Sequence, residues 1–189
     1  MSSQSLADQI IALVSSAGVS DFFISPGSRG QALVLAADEL KQKKLAQTFV
    51  RIDERSMSFT ALGASLKSAK PTAMIVTSGT AVANLHPAML EAHHAGIPLI
   101  AITADRPVRL RGKGANQTTL QPGIFDSRLV DFVDVQSVDD VSFAKQNLIE
   151  AVAKNQPLQI NVCFDLTLSS TSKASEFLET IEIPKTNPT

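Results

Sequence analysis

The stretch 103–123, TADRPVRLRGKGANQTTLQPG, gathers Arg106, Arg109, Arg111, Lys113, Asn116 and Gln117. Guanidinium groups can grip a carboxylate or phosphate with two parallel hydrogen bonds, and side-chain amides add donors and acceptors to such a site. The stretch follows an unbroken apolar run, Ile97 to Ile102, which reads as a buried parallel strand. Open α/β sheets hold their ligands in loops at the carboxyl ends of such strands. A basic loop that merely faces water has the same composition. The choice between the two depends on what else falls at the same end of the sheet.

Three more segments carry candidate chemistry. Ser25-Pro26-Gly27-Ser28-Arg29-Gly30 reads as a tight β–α turn whose amides, at a helix start, suit an anion. It is neither a dinucleotide fingerprint nor a P-loop, and its plain reading is a connecting turn. Asp53-Glu54-Arg55-Ser56 places Glu54 at the mouth of a helix, where a carboxylate either meets a ligand or simply complements the helix dipole. Thr77-Ser78-Gly79-Thr80 offers helix caps and a glycine that lets backbone approach a ligand or bend. His86, His93 and His94 share one helical segment without the spacing of a zinc helix, so they read as surface residues and no metal ligand is expected.

Positioning these loops requires a sheet. Near-continuous apolar or β-rich segments predict strands at 21–25, 47–52, 72–77, 97–102, 131–137 and 158–164, with helices at 4–17, 30–42, 55–69, 80–95, 122–130 and 140–154. This alternation predicts an α/β fold, a three-layer αβα domain with a parallel, roughly six-stranded sheet. All four candidate segments then converge on one edge of it. Ala81, Leu85, Ala88, Met89 and Ala92 form the inward stripe of helix 80–95. Helix 55–69 is rich in small residues (Ala61, Gly63, Ala64, Ser65) and suits close packing, either in the core or across a subunit boundary.

Composition narrows the classes. The 189 residues are 44% hydrophobic, enough for one domain with a substantial core. A net charge of −1 gives no basic footprint for nucleic acid. The single Cys163 reads as a small buried hydrophobe. The polar start predicts no signal peptide, and no apolar stretch approaches the ~20 residues of a membrane span, so a cytoplasmic protein without membrane insertion is expected. From about residue 169 to 189 the composition turns to Ser, Thr and Pro, that of a linker toward a further domain.

Taken in order, SPGSRG (25–30), DERSMSFTALGAS (53–65), TSGTAVANLHPAMLEA (77–92) and TADRPVRLRGKGANQT (103–118) resemble the N-terminal domain of the menaquinone-biosynthesis synthases that depend on thiamine diphosphate. Those enzymes make 2-succinyl-5-enolpyruvyl-6-hydroxy-3-cyclohexene-1-carboxylate. The likeness spans about residues 5–168. It departs at Gly30, where the family favours Ser or Asn with a following Pro, and at Thr119, where Ile is usual.

The resemblance implies that residues 1–168 form a pyrimidine-binding domain and that Glu54 hydrogen-bonds a ring nitrogen of the cofactor. It further implies that Pro26 and Thr80 lie near the aminopyrimidine, and that Ser28, Arg29, Arg106, Asn116 and Gln117 contact the substrates, 2-oxoglutarate and isochorismate. It implies a second subunit in a homodimer or homotetramer, and a diphosphate and Mg2+ site in a separate domain bearing a GDG motif, which this chain lacks. The isolated chain is therefore expected to be inactive. Two other readings remain open on the residues alone: a non-catalytic doubly wound domain that binds a small carboxylate or phosphate, and the pyrimidine domain of another thiamine-diphosphate decarboxylase.

Overall fold

Thr72–Val76 and Leu99–Asp105 are buried at every position, as strands covered on both faces must be. In the computed structural model, which describes residues 2–165 and 171–185, they lie at the centre of a six-stranded sheet. The strands are β1 (Asp21–Ile24), β2 (Gln47–Val50), β3 (Thr72–Val76), β4 (Leu99–Asp105), β5 (Asp131–Val135) and β6 (Leu158–Cys163), in the order β2-β1-β3-β4-β6-β5. Every pairing is parallel, so all carboxyl ends share one edge. The helices are α1 (Ser3–Ser16), α2 (Gln31–Gln42), α3 (Glu54–Ser68), α4 (Thr80–Ala83), α5 (His86–Ala95) and α6 (Val141–Ala153).

Two apolar cores make three layers. On one face, α1, α2 and α6 bury Ile10, Leu33, Leu40 and Leu148 against Ile75, Ile100, Ile160 and Val133. On the other, α3, α4 and α5 bury Met57, Leu62, Leu85 and Met89 against Phe23, Met74, Val76 and Leu99. Each fully buried Leu, Ile, Phe or Met contributes about 1.5–3 kcal/mol. The stripe assigned to helix 80–95 is buried throughout, but the helix is broken between Ala83 and His86. Pro87, which has no N–H to donate, suits the start of a new helix and interrupts an old one.

Helix 122–130 does not form. Gly123 adopts φ +69, and Asp126 accepts from the Arg128 amide at 3.1 Å, a side-chain bond that competes with helix; only a single turn follows, its carbonyl accepting from Leu129 and Val130. Residues 106–130 therefore cover the β4–β6–β5 face as an irregular chain. β4 also runs beyond the expected 97–102, through Thr103, Ala104 and Asp105. Its polar residues are tolerated because they lie in register with others. Thr103 sits opposite Asn161, Asn161 opposite Asp134, and Asp105 opposite Cys163. This polar row lies on the face beneath the irregular chain, while Ile100, Ile102, Ile160 and Val162 face the opposite core.

The segment read as linker is docked where it is described. Ala174 is fully buried. The Ser172 hydroxyl donates to Asp8 at 2.7 Å and the Ser175 amide to Glu39 at 3.0 Å, fixing the Ala174–Phe177 turn to α1 and α2. The expected boundary at 168/169 lies outside the described residues. No helix among the described residues is long and apolar enough to cross a membrane.

Candidate functional site at the carboxyl edge of the sheet

Connections from β1 and β3 run to opposite sides of the sheet, and a crevice between two such strands is where doubly wound folds bind ligands. The 25–30 and 77–80 loops flank this crevice. They pack so closely that a Cβ added at Gly27 would overlap the Thr77 side chain. Pro26, Ser28 and Thr80 are exposed there. Arg29 is half-buried and donates to the Phe164 carbonyl at 3.0 Å. Burial, and then the charge of nearby Arg106, lower its pKa against the opposing pull of Asp165 and Asp105. Two cations held this close favour an anion between them.

Glu54 is the first residue of α3. Asp53 caps that helix by accepting the Ser56 amide at 2.7 Å. Glu54 is thus spared the capping role, and its carboxylate accepts from Asn84 Nδ2 at 3.2 Å. Asn84 can reach it because it lies at the break between α4 and α5.

Arg106 projects from the end of β4. Its Nη1 donates to Ser78 Oγ at 2.8 Å and to the Gln117 carbonyl at 2.7 Å. The Ser78 hydroxyl itself donates to that carbonyl at 3.0 Å, and Gln117 Nε2 donates to the Ser78 carbonyl at 3.1 Å. Thr77 and Ser78 thus do not cap the following helix with their side chains; its N-cap is Gly79. Gly79 holds φ +85 with Gln117 against it, so a side chain there is excluded both by conformation and by space. Asn116 is exposed on the same loop.

Two further loop arginines, Arg109 and Arg111, are engaged in ion pairs. Arg109 pairs with Asp165. Arg111 is a structural cation, donating to Asp105 at 2.9 Å, to Asp134 at 2.7 and 2.8 Å, and to Cys163 Sγ at 3.1 Å. Hydrogen bonding to Asp134 raises its pKa despite burial. Asp105, Asp134 and Cys163 lie close enough together to hold a metal ion, but Arg111 occupies the space among them. Burial and the Asp134 charge push the Cys163 thiol up to about 12, against the opposing influence of Arg111. Composition gave no sign of buried Gln121, whose amide joins this edge to the polar row beneath it.

Residues 4–127 match the family model described as thiamine pyrophosphate enzyme, N-terminal TPP binding domain. The chain belongs to this family.

Several curated relatives of this thiamine pyrophosphate enzyme domain carry the name 2-succinyl-5-enolpyruvyl-6-hydroxy-3-cyclohexene-1-carboxylate synthase. That of Clavibacter michiganensis is 46% identical over 160 residues, covering 80% of this chain and 27% of the relative. That of Leifsonia xyli is 45% identical over 172 residues, covering 85% of this chain and 29% of the relative. That of Psychromonas ingrahamii is 52% identical over 120 residues, covering 64% and 20%. The chain thus spans roughly a quarter of the length of the relatives it matches. At this edge of the sheet the chain presents a carboxylate at a helix start, Glu54, and exposed Pro26 and Thr80.

Proposed function

We propose that the full protein is a thiamine-diphosphate-dependent transferase of menaquinone biosynthesis, acting in the cytoplasm, which decarboxylates 2-oxoglutarate and joins the succinyl unit to isochorismate. The observation that carries this reading is the meeting of Glu54, Arg29 and Arg106 on one sheet edge, in a chain 46% identical to a synthase of that name. When bound, the cofactor supplies the electron sink that decarboxylation of a 2-oxo acid requires.

The chain's own residues then have distinct tasks. Glu54 shares a proton with a pyrimidine ring nitrogen, its other contact being the Asn84 amide. Pro26 and Thr80 border the ring. Arg29 and Arg106 hold substrate carboxylates, with Ser28, Asn116 and Gln117 supplying neutral hydrogen bonds. Diphosphate and Mg2+ are assigned to another domain of the full protein, with 169–189 leading toward it. A second subunit is supported by apolar side chains left exposed on β2, on the turn after it and along α3: Phe49, Val50, Ile52, Phe59 and Leu66.

The full-length protein with thiamine diphosphate and Mg2+ should release one carbon dioxide per isochorismate consumed when given 2-oxoglutarate. Carbon dioxide release without isochorismate consumption, or faster turnover of another 2-oxo acid, would overturn the assignment. The 189-residue chain alone should turn over neither substrate and should bind the cofactor weakly; micromolar binding would place the diphosphate site within it.

A further inference from the structure

Gln121 has no solvent exposure, and both ends of its side-chain amide are used. Oε1 accepts the Gly79 amide at 2.8 Å, while Nε2 donates to the Ala104 carbonyl at 3.1 Å and to Asn161 Oδ1 at 2.9 Å. Its own carbonyl accepts from Gln159 Nε2 at 3.0 Å, so β6 fixes its backbone as well. Gly79 precedes α4 as its N-cap and is buried, so the helix offers its N–H no acceptor and neither does water. A buried amide of this kind must be paired, and the acceptor comes from a different loop.

We propose that Gln121 is a positioning residue. It locks the Ser78–Thr80 turn to the end of β4, so that this turn and the 106–118 loop behave as one rigid unit. Thr80, on the cofactor side, and Arg106, on the substrate side, then keep a fixed separation. The catalytic consequence rests on the function proposed above; the clamp itself does not.

Amide exchange in the full-length protein tests the clamp. Gly79, although in a turn, should exchange at least about 100-fold more slowly than an unstructured glycine. Gln121→Met, which keeps the length of the side chain but offers the Gly79 amide no oxygen, should abolish that protection while β1 and β3 keep theirs. In turnover, Gln121→Met should raise the cofactor Kd and both substrate KM values about tenfold or more. A role in folding alone would lower the concentration of active sites and leave KM and Kd unchanged, overturning the proposal. Unprotected Gly79 in the unaltered protein would also overturn it, and that measurement decides the matter if Gln121→Met does not fold. A protected Gly79 in a protein with no synthase turnover would instead overturn the proposed function and leave the clamp standing.

Discussion

The Arg106 guanidinium donates to the Ser78 hydroxyl at 2.8 Å, bonding the loop after β4 to the turn after β3. A residue proposed to hold substrate therefore also touches the turn that carries Thr80, and its substitution has two separable effects.

Arg106→Ala should cost about 1.5–3 kcal/mol of substrate interaction, roughly 10- to 150-fold in kcat/KM for the substrate it holds. Ser78→Ala removes only the bridging hydroxyl and should cost about 0.5–1.5 kcal/mol. Measuring kcat/KM for each substrate beside the cofactor Kd checks the order. Equal losses in the two variants would make Arg106 a structural brace.

Glu54→Gln should lower turnover by about 10²–10⁴-fold. Its stability cost should be small, about 0.3–1 kcal/mol from the lost negative charge at the helix start. Deuterium exchange at the reactive carbon of the bound cofactor is the direct readout. Equal rates in variant and parent would return Glu54 to a dipole role.

Arg111→Met should destabilise the domain by about 3–5 kcal/mol, because Asp105 and Asp134 would be left as uncompensated, largely buried carboxylates. Urea denaturation of the parent and variant chains measures it. A loss below about 1 kcal/mol would show that the cluster neutralises itself by taking up a proton.

Asp134 contributes to the pH dependence of stability. Burial favours its protonated form, but hydrogen bonds from Arg111 and Asn161 outweigh this and hold its pKa below the usual carboxylate value. Its stabilising contribution is complete above the unfolded pKa of about 3.9, and falls away as pH drops from there through the lower folded value. The parent should therefore lose stability more steeply than Asp134→Asn on acidification below about pH 4. Parallel curves would remove Asp134 from acid sensitivity.

With its thiol held up to about 12, Cys163 should resist alkylation in the native state. At pH 8 its thiolate fraction is roughly three orders of magnitude below that of a free cysteine. Iodoacetamide labelling should follow unfolding; fast labelling of folded protein would contradict the burial.

The six strands were legible because apolar runs covered on both faces have few alternatives, and the loops carrying candidate chemistry followed from their carboxyl ends. What escaped the sequence depends on distant partners. Arg111 and Arg109 look like ligand-binding cations until Asp134 and Asp165 are brought alongside. Helix 122–130 failed because Pro122, Gly123 and the Asp126 side chain outweigh its apolar spacing. Polar Thr103 and Asp105 concealed the last part of β4 until the register supplied Asn161. A neutral glutamine gives no compositional signal, and Gln121 was missed for that reason.

The irregular cover over β4, β6 and β5 constrains how this scaffold can be re-engineered. Thr103 and Gln159 rise from the strands to meet Asn161 and the Gln121 backbone, and Asn161 reaches both Asp105 and Asp134. A 106–123 segment transplanted from a homologue would meet these strand residues in place of its own, and any that differ would leave buried donors and acceptors mismatched. Such a graft must carry the strand residues beneath it, so the smallest exchangeable unit at this edge combines a surface loop with part of the sheet.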